Sequence, residues 1–461
     1  MFRSGIHGLK NLVSSGRLTS MTILLAALSI PSAIAIRFLS LNQALFVSLG
    51  LVFVNIQSHL SRRIILSIAF ALALLFIPFP NRYLFGVDLV PIVSLALIMF
   101  NLKRRAVFLE NSKPAIRNFS NFYLIAAFSF AAVACLSSVT NYRSAEFVSW
   151  VLFPIASAII VKLLQSGTTP TFKELMEFWI AGAWILMLVD TLGLLTSRYR
   201  STDFFNFGRF TGSLGDYELS AEIYGVTVLA AIYVLLVTEG KAMRALALVE
   251  VICFVALLVA TQTRSSFILT VFGIVMILFS SAVSKRVKRS LGTLALVGVS
   301  MYMVAASSGS FQDIWSRLTA TELSQDIAGV ANRAGVWGYF QNLRSYTDIS
   351  PIGNGFSYPY DEIQTYPHSL YLWVFWSGGI LTLAILVSLA IGSIGSAVSR
   401  FKEFRVDASA SLVILGFLFI DQAKVEVARF ASTSWVFWLV VALTFSRFER
   451  RDKVALARNG K

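Results

Sequence analysis

Long apolar runs recur along this chain and restrict the folds that it can adopt. They are about 16–22 residues long, enough to cross the hydrocarbon core of a bilayer as α-helices, and short polar segments separate them. The alternating segments of about ten residues that build an outer-membrane barrel are absent from the sequence. Charged residues make up 14% of the 461 residues, against roughly 25% in soluble domains. The sequence therefore predicts an all-α polytopic integral membrane protein.

Glycine, proline and charged residues divide the apolar runs into about fourteen candidate helices. Because three of the candidates are short, the expected number of transmembrane helices is about 12–14. The candidates lie near 20–36, 41–57, 64–79, 84–100, 119–139, 147–164, 174–196, 222–238, 243–261, 265–283, 291–306, 368–392, 409–421 and 432–447.

Basic residues favour one set of connecting segments and thereby indicate the orientation. If the N-terminus is cytoplasmic, the inner set consists of both tails and segments such as LKRR (102–105), SKRVKR (284–289) and RFKEFR (400–405). This set holds 27 of the 39 lysines and arginines, and the outer set holds the other 12. By the positive-inside rule, both termini are predicted to be cytoplasmic. The same rule explains the net charge of +15, so no nucleic-acid partner is expected.

Two predicted outer segments, 197–221 and 307–367, exceed ordinary connecting length. Loops longer than about 12–15 residues are usually functional or disordered, and the second segment is too aromatic for disorder. We expect it to pack on the membrane face. The chain then divides into 1–306 with membrane helices 1–11 and the outer loop 197–221, the large outer loop 307–367, and the last membrane helices with a basic cytoplasmic tail at 368–461.

The twelve basic residues of the outer segments are eleven arginines and Lys424. A guanidinium is a planar fork that stays charged and binds phosphate oxygens in pairs. Three of the arginines stand in polar stretches that could form a site. They are Arg209 in GRFTGSLGD (208–216), Arg264 in the turn ATQTRSS (260–266) and Arg333 in NRAGVWGYFQN (332–342). The alternative interpretation is that such arginines anchor helix ends at lipid headgroups.

His368, one of only three histidines, stands at the start of a long apolar run in TYPHSLYLW. Pro367 suits the first turn of a helix, which would place His368 at the helix N-terminus. The macrodipole opposes a positive charge there, and neutral imidazole can accept a proton. Gly378 and Gly379 follow and are expected to permit close helix packing. The alternative is a histidine that only bonds loop carbonyls at the interface.

A lipid-linked diphosphate would use this combination of outer arginines, a histidine and membrane helices. The arginines would hold the diphosphate as it leaves, and the histidine could take a proton from an acceptor hydroxyl. Neither long outer segment contains a DxD-like pair of carboxylates. If the protein is a glycosyltransferase, it is therefore expected to stabilise the leaving group with arginine and not with a divalent metal.

Four short motifs resemble those of O-antigen ligases and Wzy-type O-antigen polymerases. They are His368-Ser369 followed by Gly379 and Thr382, which matches His-[Asn/Ser/Gln]-x9-Gly-x-x-[Gly/Thr/Tyr], then Arg333 to Trp337, Thr-Arg-Ser at 263–265 and Phe-Thr-Gly at 210–212. Their order agrees with this superfamily, and the resemblance covers roughly residues 205–435. Many relatives carry Asn-Pro-Asn after the last motif, whereas this chain has Gly-Asp-Tyr-Glu (215–218). The role of that segment is therefore open.

The resemblance implies an inverting, metal-independent glycosyltransferase of the GT-C type without a cofactor. It would work at the outer face of the bacterial cytoplasmic (inner) membrane. The donor would be a glycan on undecaprenyl diphosphate, and the acceptor a lipid-linked glycan or lipid A-core. A flippase and a chain-length regulator would be further partners. Arg264 and Arg333 would bind the diphosphate, His368 would act at the acceptor hydroxyl, and Arg209 would contact diphosphate or glycan.

Three aromatic residues could stack on sugar rings in such an enzyme: Trp337, Tyr358 and Tyr360. Trp337 would share one face of a short amphipathic helix with Arg333, since the two are four residues apart. The alternative role for all three is packing of the large outer loop.

The choice between polymerase and ligase stays open from the sequence, because the motifs are shared; the polymerase is favoured only because such proteins are more numerous. A transporter would carry internal repeats and midplane charges. Asp190 is the main candidate for such a charge, and no convincing repeat is present. A structural membrane protein is the remaining alternative.

Overall fold

The computed structural model of this protein describes residues 66, 69–70, 74, 83–84, 87–103, 114–138, 145–165, 170–201, 209–280, 338–340, 342, 349–356, 367–424 and 433–449. The chain divides into two compact units, Met1–Ser61 with Pro78–Leu89, and Arg62–Ile77 with Val90–Lys461. In the first unit, β1 (Tyr83–Leu84) and β2 (Val87–Asp88) pair as an antiparallel hairpin.

The described residues contain ten helices. These are α1 (Leu89–Lys103), α2 (Pro114–Ser137), α3 (Ala145–Leu164), α4 (Phe172–Leu195), α5 (Tyr217–Val237), α6 (Lys241–Thr261), α7 (Arg264–Ser280), α8 (Leu370–Arg400), α9 (Arg405–Asp421) and α10 (Ser434–Leu443). Local sequence explains some of the helix ends. At α4, for example, Thr171 and Glu174 form a reciprocal capping box in which each side chain accepts from the other backbone amide.

Five of these helices are long and apolar enough to cross a membrane: Asn118–Ser137, Phe172–Leu195, Tyr217–Val237, Lys241–Thr261 and Leu370–Arg400. The prediction of a mainly helical protein with several helices of membrane-spanning length is thereby confirmed. Each of the ten helices corresponds to one predicted run, with ends that differ by at most five residues except at α8, which continues eight residues beyond the predicted end at 392. Of the other predicted runs, 20–36, 41–57 and 291–306 lie outside the described residues, as does most of 64–79. The total of 12–14 helices therefore stays a prediction.

Helix α5 forms the centre of one half of the bundle, where it packs against α4, α6, α7 and α9. Sixteen consecutive residues, Leu219 to Val234, are buried. Gly225 allows this close packing, because a Cβ atom there would collide with the Phe417 ring of α9 and the Thr270 hydroxyl of α7. A helix enclosed on all sides needs no polar face, which explains why its apolar run shows no helical periodicity.

The other half of the bundle is formed by α2, α3, α8 and α10. Helix α2 packs against α3 and α8, α10 packs against α3, and α8 also contacts α9. Aromatic side chains fill the core here: the Phe130 ring lies 5.9 Å from Trp150 and 5.5 Å from Trp438, measured between centroids. Such rings dominate the apolar area that a helix interface buries.

The connecting segments collect at opposite ends of the bundle. One end, the upper end, is formed by 196–201, 209–216, 262–263, 367–369 and 422–424, which are joined by bonds such as Phe210 N to Ala260 O at 3.1 Å and Leu370 N to Gln422 O at 2.9 Å. The other end, the lower end, is formed by 165, 170–171, 238–240, 401–404 and 444–449. These two sets correspond to the predicted outer and inner segments, respectively.

The lower end is held by buried polar contacts. Arg400 is 4% exposed and donates to Ser446 O at 2.7 Å and to Thr444 O at 2.6 Å. Asp407 accepts from Tyr233 Oη at 2.8 Å and from Glu449 N at 2.9 Å. Helices α5, α8, α9 and α10 are thus joined beside the basic RFKEFR segment, 400–405. Which end faces the cytoplasm stays a prediction from charge.

Candidate functional site

His368 lies exposed at the upper end, two residues before α8 begins. Its φ of 50° lies in the left-handed region, where a non-glycine residue is uncommon. The run predicted near 368–392 therefore begins two residues before the helix itself, and Pro367 lies outside the first turn of α8. A left-handed residue cannot continue into an α-helix, and α8 starts at Leu370 after the N-cap Ser369. Pro367 and Ser369 are buried, so the backbone presents the histidine between two fixed neighbours.

The start of α8 and the end of α9 satisfy each other's backbone groups. The first amide of a helix and its last carbonyls have no partner inside the helix. Here Leu370 N donates to Gln422 O at 2.9 Å, and Tyr371 Oη donates to Phe419 O at 2.6 Å. The side chain of Ser369 makes no cap hydrogen bond. The position of His368 therefore depends on the end of α9.

The end of α9 is in turn bonded to α5 and α7. Gln422 Nε2 donates to Glu222 Oε2 at 2.6 Å, and both residues are almost completely buried. Asp421 Oδ2 accepts from Ser266 Oγ at 2.7 Å. Lys424 Nζ lies 3.2 Å from Ser265 Oγ and 3.8 Å from Glu218 Oε1. Three helix ends thus meet on one short segment, 421–424.

Arg264 is the first residue of α7 and is partly buried. Its two successors, Ser265 and Ser266, make the contacts to Lys424 and Asp421 described above. The structure therefore brings Arg264 and His368 to the same end of the bundle, linked through the end of α9. Arg333, the other predicted diphosphate ligand, lies outside the described residues, as do Trp337, Tyr358 and Tyr360.

The guanidinium of Arg209 is engaged with the protein at the same end. Its Nε donates to Thr261 O at 3.0 Å, and its Nη2 donates to Gln262 O at 3.2 Å and to Thr263 Oγ1 at 3.3 Å. Its Cζ lies 3.5 Å above the Tyr217 ring. These contacts clamp the Gly-rich loop onto the turn that precedes Arg264. Arg209 therefore shapes the site, and its predicted contact with a diphosphate or glycan stays a prediction.

The Phe-Thr-Gly segment is anchored on Asp190 and Tyr224. Asp190 is fully buried in α4 and accepts from Ser213 N at 2.9 Å and from Tyr224 Oη at 2.6 Å. Gly212 has a φ of 62°, and a Cβ atom there would collide with the Tyr224 and Ser220 hydroxyls. Asp190 thus has its hydrogen-bond partners in a loop anchor.

The segment Gly-Asp-Tyr-Glu (215–218) forms the N-cap and first turn of α5. Asp216 is its N-cap and accepts from Glu218 N at 2.8 Å and from Leu219 N at 2.9 Å. Tyr217 supports Arg209, and Glu218 pairs with Lys424. The segment therefore has a local structural role in this chain.

Helix α8 is broken at Gly379, where φ is 70° and ψ is −176°. The expectation that the Gly378–Gly379 pair only permits close helix packing is therefore incomplete. Residues 350–356 insert at the break: Asn354 N donates to Trp376 O at 3.2 Å, and Leu381 N donates to Pro351 O at 3.2 Å. These bonds satisfy groups that the break leaves open. The end of the large outer loop is thus fixed to the helix that begins beside His368.

The described part of the large outer loop packs on α8 at a second point. Residues 338–340 are helical, and Phe340 is fully buried with its ring 5.3 Å from Trp376 in an edge-on arrangement. Phe356 is also buried, 4.7 Å from the Trp150 ring. These contacts agree with a loop that folds onto the helices.

All four non-glycine residues with positive φ in the described ranges lie at the upper end: Ser197, Tyr199, Gln262 and His368. Backbone strain of this kind costs about 1–3 kcal/mol per residue and gathers at functional sites. This observation is independent of the sequence motifs. It selects the same end of the bundle as the arginines and the histidine.

Sequence reasoning missed Glu222, Asp421 and Gln422, which join the site elements. One signal was present, because a carboxylate inside an apolar run is costly in a membrane and is therefore a candidate for a function or a specific partner. The partner itself could not be read from the sequence, since Glu222 and Gln422 are 200 residues apart.

No protein-family model and no curated protein matches this chain. The resemblance to O-antigen ligases and polymerases therefore rests on the four short sequence motifs alone.

Proposed function

We propose that this protein is a membrane glycosyltransferase that uses undecaprenyl-diphosphate-linked glycans at the outer face of the cytoplasmic membrane and polymerises surface polysaccharide. The products would be repeats of O-antigen, capsule or exopolysaccharide. The observation that carries the proposal is the placement of Arg264 and His368 at one end of the helical bundle, joined through the end of α9. Arg209 and the strained turns at the same end add support.

The chemistry assigned to these residues is a single displacement at the anomeric carbon. The acceptor hydroxyl oxygen forms a bond to that carbon, and the bond from the carbon to the diphosphate oxygen breaks with inversion. The diphosphate keeps the electron pair of the broken bond, and the guanidinium of Arg264 stabilises the negative charge that develops there. Arg333 has the same role in the proposal.

His368 takes the proton of the acceptor hydroxyl in this scheme. Its exposed position before α8 leaves the imidazole accessible to a second substrate. The buried residues on either side hold the backbone in place, which favours a fixed direction for the side chain. A donor held at Arg264 and an acceptor at His368 would thus meet at the upper end.

A ligase, which passes a finished chain to lipid A-core, is the second candidate, because the His-Ser and Gly-Thr pattern of α8 fits both activities. The two differ in the acceptor. The experiment is to reconstitute the purified protein and supply undecaprenyl-diphosphate-linked repeat units, either alone or with lipid A-core. A ladder of longer lipid-linked chains with donor alone supports the polymerase.

Transfer only when lipid A-core is added would favour the ligase. The donor is first shown to be consumed by a known enzyme of this kind. If this protein then shows neither hydrolysis nor transfer in either reaction, the proposal is overturned. Deletion of the gene gives the cellular counterpart: single repeats remain on the surface if a polymerase is lost, and lipid-linked polymer accumulates if a ligase is lost.

A further inference from the structure

The bond between Glu222 and Gln422 is unusual in its surroundings. Glu222 is 1% exposed and lies within the sixteen-residue buried stretch of α5, where every neighbour along the helix is also buried. A carboxyl group placed there is costly unless it is bonded. Gln422 Nε2 donates to its Oε2 at 2.6 Å, whereas its Oε1 has no hydrogen-bond partner among the described residues. Gln422 is therefore the hydrogen-bond partner of the Glu222 carboxyl group.

Gln422 also binds the start of α8 and so links it to Glu222. Its side chain is held by Glu222, and its carbonyl oxygen accepts from Leu370 N at 2.9 Å. Ser369 supplies no side-chain cap of its own, and the Gln422 carbonyl satisfies the first amide of α8, which has no partner inside the helix. His368 lies two residues before Leu370. Its backbone conformation is left-handed and needs support from its surroundings to persist.

We infer that Glu222 and Gln422 are positioning residues for His368, which hold the start of α8 at a fixed distance from the start of α7. This inference rests on the proposed function for its catalytic consequence. The link to α7 is made by the neighbours of Gln422: Asp421 accepts from Ser266, and Lys424 contacts Ser265. A shift of Gln422 would thus move His368 relative to Arg264, the residue assigned to the diphosphate.

The test uses the full chain, purified and reconstituted, with three variants. Gln422→Glu keeps the size of the side chain but sets two carboxyl groups against each other in a buried position. Glu222→Gln/Gln422→Glu exchanges the partners, so that an amide at position 222 can donate to a carboxylate at position 422. Gln165→Glu makes the same amide-to-acid change at the lower end and is the matched control.

Two readouts are measured for each variant. The first is kcat and KM with an undecaprenyl-diphosphate-linked repeat unit as donor. The second is hydrogen exchange of the peptide that contains Leu370, whose amide bonds to Gln422. For Gln422→Glu we expect faster exchange and a kcat about 100-fold lower, since a misplacement of about 1 Å can have that effect. The KM for the donor should not change, because the arginines bind it.

The exchanged pair should recover both the slow exchange and most of kcat, and Gln165→Glu should match the wild type. Wild-type kcat and exchange in Gln422→Glu, or no recovery in the exchanged pair, would overturn the inference. If Gln422→Glu does not fold, Glu222→Ala removes the acceptor without adding a charge and is measured in the same way. If the wild type turns over no donor, the proposed function fails. The exchange data then still decide whether this pair holds the start of α8.

Discussion

The backbone amide of Gly355 donates a 2.7 Å hydrogen bond to the carbonyl oxygen of Ser377, beside the break in α8. A carbonyl in an unbroken helix would be bonded to the helix itself. The bond exists because Gly379 turns the chain out of the helix one turn below the buried Trp376. The large outer loop is thereby fixed to a helix interior, and the same helix begins beside His368.

The break predicts that Gly379 does not tolerate a side chain. In Gly379→Ala the residue would have to keep a φ of 70°, and its Cβ would collide with Pro351 O. Strain of this kind costs about 1–3 kcal/mol before the collision is counted. We expect a lower unfolding temperature in detergent and less polysaccharide. In the matched control, Gly416→Ala in α9, nothing lies within 4 Å of the added Cβ, and stability should be unchanged or higher.

Equal unfolding temperatures for the two glycine variants would show that the break at Gly379 has no structural importance. The comparison is direct, because both glycines lie within apolar helices of the same bundle and receive the same methyl group.

The helices could be predicted from the sequence because the length and apolar composition of a membrane helix are visible in the sequence itself. The run predicted at 174–196 is α4, Phe172–Leu195, and the run at 243–261 is α6, Lys241–Thr261. The break at Gly379 was not predicted, since a glycine inside an apolar run also occurs in continuous helices. What breaks the helix is the insertion of residues 350–356, a contact between distant segments.

The candidate site could be predicted only in part. The outer arginines and His368 were identified from charge, residue type and spacing, and the described ones lie at one end. The clamp function of Arg209 was not predicted, because two of its partners are backbone carbonyls, which any sequence would provide. Glu222 was also missed, because its bond to Gln422 depends on the packing of α5 against α9.

The orientation of the bundle can be tested at two described positions. Cysteine is introduced for Ile352, which is 37% exposed in the predicted outer loop, or for Lys402, which is exposed at the lower end. The native Cys135 and Cys253 are first replaced by serine. An impermeant maleimide should label position 352 in intact spheroplasts and position 402 only after permeabilisation. The reverse pattern would place the candidate site in the cytoplasm and contradict the proposed function.

Arg264 and Arg209 should respond differently to replacement by lysine. Lysine keeps the charge but loses the planar fork. We expect Arg264→Lys, and likewise Arg333→Lys, to lower glycan transfer, and the unfolding temperature is measured beside it. Arg209→Lys should lower both, because the bonds from Nε and Nη2 to three acceptors are lost. Each such bond contributes about 0.5–1.5 kcal/mol to stability, and more where the donor is charged.

Wild-type transfer by both Arg264→Lys and Arg333→Lys would mean that these arginines only anchor helix ends. An Arg209→Lys variant that unfolds at the wild-type temperature would show that the clamp on the 261–263 turn is not needed for stability.

Arg400 is expected to be necessary for the stability of the lower end. In Arg400→Met the carbonyl oxygens of Ser446 and Thr444 lose their charged donor. Leaving a buried acceptor without a partner costs about 1–3 kcal/mol, so the unfolding temperature should fall clearly. Arg405→Met is the control, since Arg405 is exposed at the start of α9. A similar small effect of both substitutions would show that burial of Arg400 contributes nothing to folding.

His368 gives the sharpest prediction, because its left-handed backbone favours glycine whereas its proposed chemistry requires the imidazole. Glycine adopts a φ of 50° without strain, so His368→Gly should be as stable as the wild type or more stable, by about 1 kcal/mol. Glycan transfer should nevertheless fall about 100- to 10,000-fold, as expected when a general base is removed. His368→Gln keeps hydrogen bonding but cannot take a proton, and it should fail as well. Unfolding temperature and transfer are measured on the same preparations. Full activity of the glycine variant would show that residue 368 is needed only for the turn. If the glutamine variant alone is fully active, His368 orients the acceptor hydroxyl and does not take its proton.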